Sequence, residues 1–506
     1  MPQATGGGTA TAHSSASQHH RGYVPLARVL HLVGTIAIVV SAVTPAASVF
    51  IIAPVAFTTI GTGTFWAFVL AAVIGVGVAF SYSELGAAFP IAGGDYAIVA
   101  RVLGRELGFL SLVLWITLAV FIPSSIALGI GTYLSVIWSA NANLLGAGVM
   151  LIATAIAVLN IRTNARITGV FLAIELLALL VVTVLGFANA HNPLSALTSP
   201  HLFPAHGATS AASFGVILSG VAIAIFSYNG YGAAINFSEE ITGHRSGIAK
   251  AVLWSLLITV AAELIPIVAT LVGAPSLRAL STSSAPMTYL LLSLSGKTLN
   301  TIVSLGISLA ILNATLAIIL ELARIVFSAA RDRAFPGPLN DALAHVHPRL
   351  KTPWIATLVV GIAGTVLTAL SSIAALVTFV GVVLTINYGA IALCAIVDRV
   401  RAPGRERPYR MPLWPLWPLI ALAGTIVVFT KQTGHDEGIV GMILGGAVLY
   451  YALVLWPLRK THWILHDPAQ DEAAARTGAA HATPGTQATD RAQPQAVPAA
   501  DTAEDR

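Results

Sequence analysis

Apolar residues in this chain come in long blocks, each close to the roughly 20 residues that a helix needs to cross the hydrocarbon core of a bilayer. Twelve such blocks predict helices over 28–54, 62–88, 107–137, 143–160, 165–189, 211–238, 248–273, 297–327, 353–370, 373–397, 413–430 and 438–458. Ser371-Ser372 divides the ninth from the tenth. Two blocks are interrupted at their middle. The first carries Ser41-Ala42-Val43-Thr44-Pro45-Ala46-Ala47-Ser48, where the proline removes one helical hydrogen bond and clashes with the carbonyl four residues back. The sixth carries Phe226-Ser227-Tyr228-Asn229-Gly230-Tyr231-Gly232, where two glycines weaken the helix.

The interruptions lie five helices apart, the spacing expected of two five-helix repeats of inverted topology. Such repeats bring their first helices together, each broken at the membrane midplane, and offer free amides and carbonyls to a zwitterion or cation. Unpaired backbone is costly in lipid, so breaks of this kind persist where they line a polar cavity.

Composition agrees with the pattern. Of the 506 residues, 56% are hydrophobic and 9% charged, with a mean hydropathy of +0.83. Soluble domains carry roughly 25% charged residues, so lipid is expected to be the main solvent of the outer face. The net charge of +5 reflects loop bases rather than a nucleic-acid surface. With the amino terminus placed in the cytoplasm, only Arg278, Lys297 and Lys431 of the 26 Lys and Arg residues fall on the far side. The positive-inside rule then puts both termini in the cytoplasm of a multi-pass plasma-membrane protein. Residues 1–27 and 461–506 read as disordered tails, 28–189 and 211–397 as the two repeats, 190–210 as an extracellular loop, and 398–460 as two added helices. The single cysteine, Cys394, excludes an internal disulfide and a cysteine-rich metal site, and no metal or cofactor is expected.

Several motifs in order resemble the amino acid–polyamine–organocation superfamily of permeases. They are Tyr82-Ser83-Glu84-Leu85 followed by Pro90, Gly93-Gly94-Asp95-Tyr96 and Gly104, and the segment Phe226 to Glu239-Glu240. The loop from Ala323-Arg324 through Arg331-Asp332 to Thr352-Pro353 and the run Pro408-Tyr409-Arg410-Met411-Pro412 complete the set. The resemblance implies an all-α membrane protein with the fold of the sodium–leucine symporter: twelve transmembrane helices, in two inverted five-helix repeats plus two extra helices. It implies a substrate carboxylate at Thr44, Ala46, Ala47 and Ser48, and an ammonium at Phe226, Ser227 and Asn229, with Gly230 in the same break. Two positions depart from the family pattern. Pro45-Ala46-Ala47-Ser48 stands where many members have Gly-x-Gly, and Gly232 where many have an acid.

Acids within spans are costly and are expected to face the bundle interior. Glu175 matches a position that holds a lysine in proton-coupled members, and is expected to act as a protonatable coupling group. Glu263, followed by Pro266, is expected to be structural. Asn313 and Thr315 are candidates for ion or substrate contact. The implied function is import of amino acids, driven by a proton or sodium gradient, with a small-molecule substrate, lipid around it and no nucleic-acid partner. An amino acid/polyamine antiporter and a non-transporting nutrient sensor remain alternatives. An enzyme is not expected: the sequence holds no converging metal-ligand or nucleophile–base set. Oligomeric state is not legible.

Overall fold

A computed structural model describes residues 31–465 apart from 90–92, 139, 160, 205–206, 237–240 and 242–245, with residues 161–170 as helix backbone only. The predicted tails 1–27 and beyond 465, and the predicted roles of Pro90, Arg162, Arg166, Glu239, Glu240 and Arg245, lie outside the residues so described.

The described chain is almost wholly helical. Its first stretch comprises α1 (Leu32–Val43), the short α2 (Pro45–Ala47), a π-turn over Ser48–Ile52, α3 (Ala53–Ile60) and α4 (Thr64–Ala88). Then come α5 (Gly94–Val102), α6 (Arg105–Leu128), α7 (Ile130–Leu134), α8 (Ala142–Ala157) and α9 (Ile161–Ala188). A surface segment holds α10 (Ser195–Thr198) and the antiparallel pair β1 (His201–Leu202) and β2 (Ser210–Ala211). The remainder is α11 (Phe214–Ser227), α12 (Ala233–Asn236), α13 (Ser246–Gly273), α14 (Leu277–Thr282), α15 (Pro286–Arg331), α16 (Gly337–Leu343), α17 (Trp354–Leu370), α18 (Ile373–Arg401), α19 (Leu416–Phe429) and α20 (Gly434–Tyr450). Among the described residues seven helical stretches are long and apolar enough to cross a membrane, and α8, α11, α17 and α19 are shorter apolar helices.

Local chemistry sets the ends. Ser372 caps α18 through the amide of Ala375, which explains the division at Ser371-Ser372. Gly296, at φ 74°, kinks α15 where the eighth block was expected to begin. The first span runs on to Ile60 rather than stopping near 54, because the apolar run resumes helical hydrogen bonding after the π-turn. The third block ends as a helix at Leu128, with α7 following as a separate turn. The chain also stays docked past residue 460, where a tail was expected. Trp463 is buried, its indole donates to Arg105 O, and the amides of Trp463 and Ile464 donate to Arg333 O and Asp332 O.

Broken helices α1–α3 and α11–α12 sit at the centre, flanked by α4, α9, α13, α15 and α18. Buried polar side chains join neighbours: Ser124 Oγ donates to Gly364 O, Asn143 Nδ2 to Ser371 O, and Ser111 Oγ to Asn387 Oδ1. Leu177, Leu180 and Val184 on α9, and Met442, Leu449 and Leu453 near the carboxy terminus, are exposed, as a lipid-facing surface requires.

Candidate functional site

Thr44 ends α1 in a left-handed conformation, with φ 55° and ψ 63°. Pro45 then opens α2, a position that suits its fixed φ and missing N–H. The restart places the amides of Ala46 and Ala47 in a first turn, where a helix has no carbonyl four residues back to receive them. In the second broken helix, α11 stops at Ser227, and Gly230 takes φ 119° before α12 begins at Ala233. The two breaks touch. A Cβ added to Gly230 would lie 2.9 Å from Val43 Cα, so a glycine is needed for the backbones to approach.

A cavity opens beside this contact. Its wall includes Thr44, Phe226, Asn229 and Gly230 from the breaks, Tyr82 and Trp115 from α4 and α6, Asp95 from α5, Asn236 from α12, Glu321 from α15 and Tyr388 from α18. Tyr388 donates its hydroxyl to Asn229 Oδ1 at 2.9 Å, which orients the Asn229 amide. Tyr82 donates to Asp95 Oδ2 at 2.5 Å, and Asn236 Nδ2 to Glu321 Oε1 at 3.2 Å. Burial pushes the Asp95 carboxyl up to about 7, against the opposing effect of the hydrogen bond from Tyr82.

Thr44, Phe226, Asn229 and Gly230 are thus brought to the cavity wall. Ala46, Ala47, Ser48 and Ser227 lie buried behind it. Ser48 Oγ donates to Ser227 O at 2.8 Å and so ties one break to the other. Glu175 is fully buried and away from the cavity, where its Oε1 accepts from Asn313 Nδ2 at 3.0 Å. Those two residues, singled out separately in the sequence, form one pair between α9 and α15. Thr315 turns back on its own helix and donates to Ile311 O. Tyr228 packs edge-on to Phe68 and Tyr231 against Tyr82 and Tyr388, so neither ring reaches the cavity.

Sequence reasoning did not single out Asp95, Glu321 or Tyr388 as site residues, since only folding brings α5, α15 and α18 to one wall. Glu263 was legible as a mid-span acid, yet nothing in α13 announces that its Oε2 accepts the Ser227 hydroxyl at 2.6 Å.

At one end of the bundle an ion network joins α4, α18 and the loop after α18. Arg399 donates twice to Glu84, with both distances at 2.6 Å, and Met411 N adds a bond at 2.8 Å. Arg407 lies 3.2 Å from Glu84 and 2.8 Å from Asp398, which also receives Arg405. Bidentate arginine pairing of this kind fixes geometry as well as charge. Among the described residues no three His, Cys, Asp or Glu side chains gather as a metal site would require.

Abutting helix breaks beside an internal cavity, within a bundle of apolar helices, mark a multi-pass membrane protein of the permease class. Residues 30–456 match the amino acid permease family, and the chain belongs to that family, within the amino acid–polyamine–organocation superfamily. It is 27% identical to an uncharacterized transporter of Mycobacterium tuberculosis, over 79% of this chain and 86% of that one. It is 23% identical to the branched-chain amino acid permease BcaP of Bacillus subtilis, over 74% and 82% of the two chains. It is 24% identical to the serine/threonine exchanger SteT of the same bacterium, over 77% and 88%.

Proposed function

We propose that this chain is a secondary active transporter that imports neutral amino acids across the cell membrane by alternating access, coupled to protons. The observation that carries this reading is the contact of Gly230 with Val43, which sets two interrupted helices side by side at one cavity. The carboxylate of the substrate meets the main chain at Thr44, Ala46, Ala47 and Ser48, where the amides of Ala46 and Ala47 begin a helix and favour an anion. Its ammonium meets carbonyls at Phe226, Ser227, Asn229 and Gly230. Relatives named for branched-chain amino acids and for serine and threonine support a neutral substrate.

The proposed architecture has twelve spans in two inverted five-helix repeats plus two helices, with both termini in the cytoplasm. Dividing the first long apolar stretch at Gly61 and counting the shorter apolar helices supports the twelve. Glu175 is the proposed coupling group, an acid fully buried within a span whose Oε1 accepts from the Asn313 amide. Asn313 holds it, and the site needs no metal or organic cofactor.

The test is uptake by the purified chain in liposomes, screening labelled amino acids and amines with and without an inward proton gradient. Accumulation driven by the gradient, lost in Glu175→Gln, is the expected result. Binding without flux would overturn transport in favour of a sensor, and unchanged pH dependence in Glu175→Gln would remove that residue's role. Asp95 and Glu321 on the cavity wall favour a second reading, exchange of an amino acid for an amine. Amine-loaded liposomes that speed amino acid entry would support it.

A further inference from the structure

Glu263 stands where three spans meet. Its Oε2 accepts the Ser227 hydroxyl at 2.6 Å, and Ser227 O in turn accepts the Ser48 hydroxyl at 2.8 Å. One carboxyl on α13 therefore braces both helix breaks. It is fully buried, and its second oxygen, Oε1, has no hydrogen-bond partner.

Among the described residues no cation acts on Glu263. Of the elements packed on α13, α1, α2, α10 and α12 carry no ionisable side chain. Among the described residues α4 contributes Tyr82 and Glu84, α9 Glu175, and α15 its own acids and bases; none of these acts on Glu263, nor does Lys250 on α13 itself. Among the described residues Tyr228 interacts with it electrostatically, and the Ser227 and Ser48 side chains are its polar neighbours. An unpaired buried carboxylate is costly, and Glu263 occupies such a position.

A polar path accompanies it. Thr259 and Ser255 precede Glu263 by four and eight residues, so all three share one face of α13. Several threonines elsewhere in these helices satisfy their hydroxyls on the preceding turn, as Thr183 does at Leu179 and Thr425 at Ala421. Thr259 and Ser255 do not. Both are fully buried without a partner, and so are the hydroxyls of Tyr228 and of Ser41 on α1. Buried polar groups left unpaired by protein need another partner, and water is the one that fits a row of hydroxyls.

We propose that Glu263 is a second proton-binding site, one that latches the two breaks together while neutral and loosens them on passing its proton to water along the Thr259–Ser255 face. The proton leaves as hydronium and a carboxylate remains, so charge balances. This inference rests on the reading of the chain as a proton-coupled carrier.

Full-length protein in liposomes tests it, with substrate-dependent proton entry followed by an internal pH dye. In Glu263→Gln, proton entry per substrate and gradient-driven accumulation fall about tenfold, within the usual range of coupling between sites. Glu263→Asp keeps coupling with a displaced pH profile, which a merely structural acid would not do. Should Glu263→Gln fail to fold, the wild type is treated with dicyclohexylcarbodiimide, which attacks protonated buried carboxyls. Modification within 246–273, declining as pH rises, is expected. Coupled flux in wild type that survives intact in Glu263→Gln overturns the latch alone, as does pH-independent labelling. Wild-type flux without proton entry overturns the coupled-carrier reading as well.

Discussion

Gly230 meets Val43 across the two helix breaks: a Cβ built on the glycine lies 2.9 Å from Val43 Cα and 3.0 Å from Val43 N. The partner atoms are backbone and cannot rotate away. Gly230 also has φ 119°, a region where a side chain is strained. Gly230→Ala therefore separates the breaks, at a cost of about 1–3 kcal/mol from overpacking alone. Substrate affinity and uptake should fall sharply while the protein still reaches the membrane, as read by binding on purified protein. Unchanged affinity would mean that the contact does not shape the site.

Much of this arrangement was legible beforehand, and the remainder was not, for physical reasons. Pro45 and the Gly230–Gly232 segment announce interrupted helices because proline removes a helical hydrogen bond and glycine frees the backbone to leave the helix, and a single sequence displays both. Span ends at Ser371-Ser372 follow from capping chemistry in the same way. The pairing of Glu175 with Asn313, 138 residues apart, depends on which helix faces which, and so does the meeting of Ser227 with Glu263. Apolar helices of similar composition leave those partnerships open until packing selects them. The π-turn at Ser48–Ile52 had no local signal either.

The ion network at Glu84 is expected to hold α4 and α18 together. Arg407 and Glu84 expose only 4% and 3% of their side chains, so neither finds a water partner once the other is lost. Glu84→Gln leaves Arg399 and Arg407 facing an uncharged amide and removes the bidentate bond. Loss of one partner of a buried pair costs about 3–5 kcal/mol. A lower melting temperature in detergent should report it, and Arg399→Lys, which keeps the charge but not the fork, should lower it less.

Asp95 gives the stability a defined pH dependence. Its carboxyl is raised by burial from 3.8 to about 7. Below about 4 the folded and unfolded chains both hold this proton. Between there and about 7 the folded chain retains it while the unfolded chain releases it, so the folded state loses stability as pH rises through that window. The melting temperature of wild type should decline over this range, and Asp95→Asn should flatten that part of the curve. A profile identical in the variant would show that another group titrates there.

Sidedness can be read with cysteines, because the one native cysteine, Cys394, is fully buried and should stay silent toward an impermeant maleimide. Arg349 and Lys431 are both exposed, and α17, α18 and α19 lie between them in the chain. An odd number of crossings puts the two positions on opposite faces of the membrane. In the proposed topology the excess of arginine near Arg349 places it in the cytoplasm and Lys431 outside. Lys431→Cys should therefore label in intact cells, and Arg349→Cys only after permeabilisation. Labelling of both from outside would mean that one of the three helices does not cross, most simply the 14-residue α19, which is shorter than the roughly 20 residues of a full span. The reversed pattern would invert the chain in the membrane.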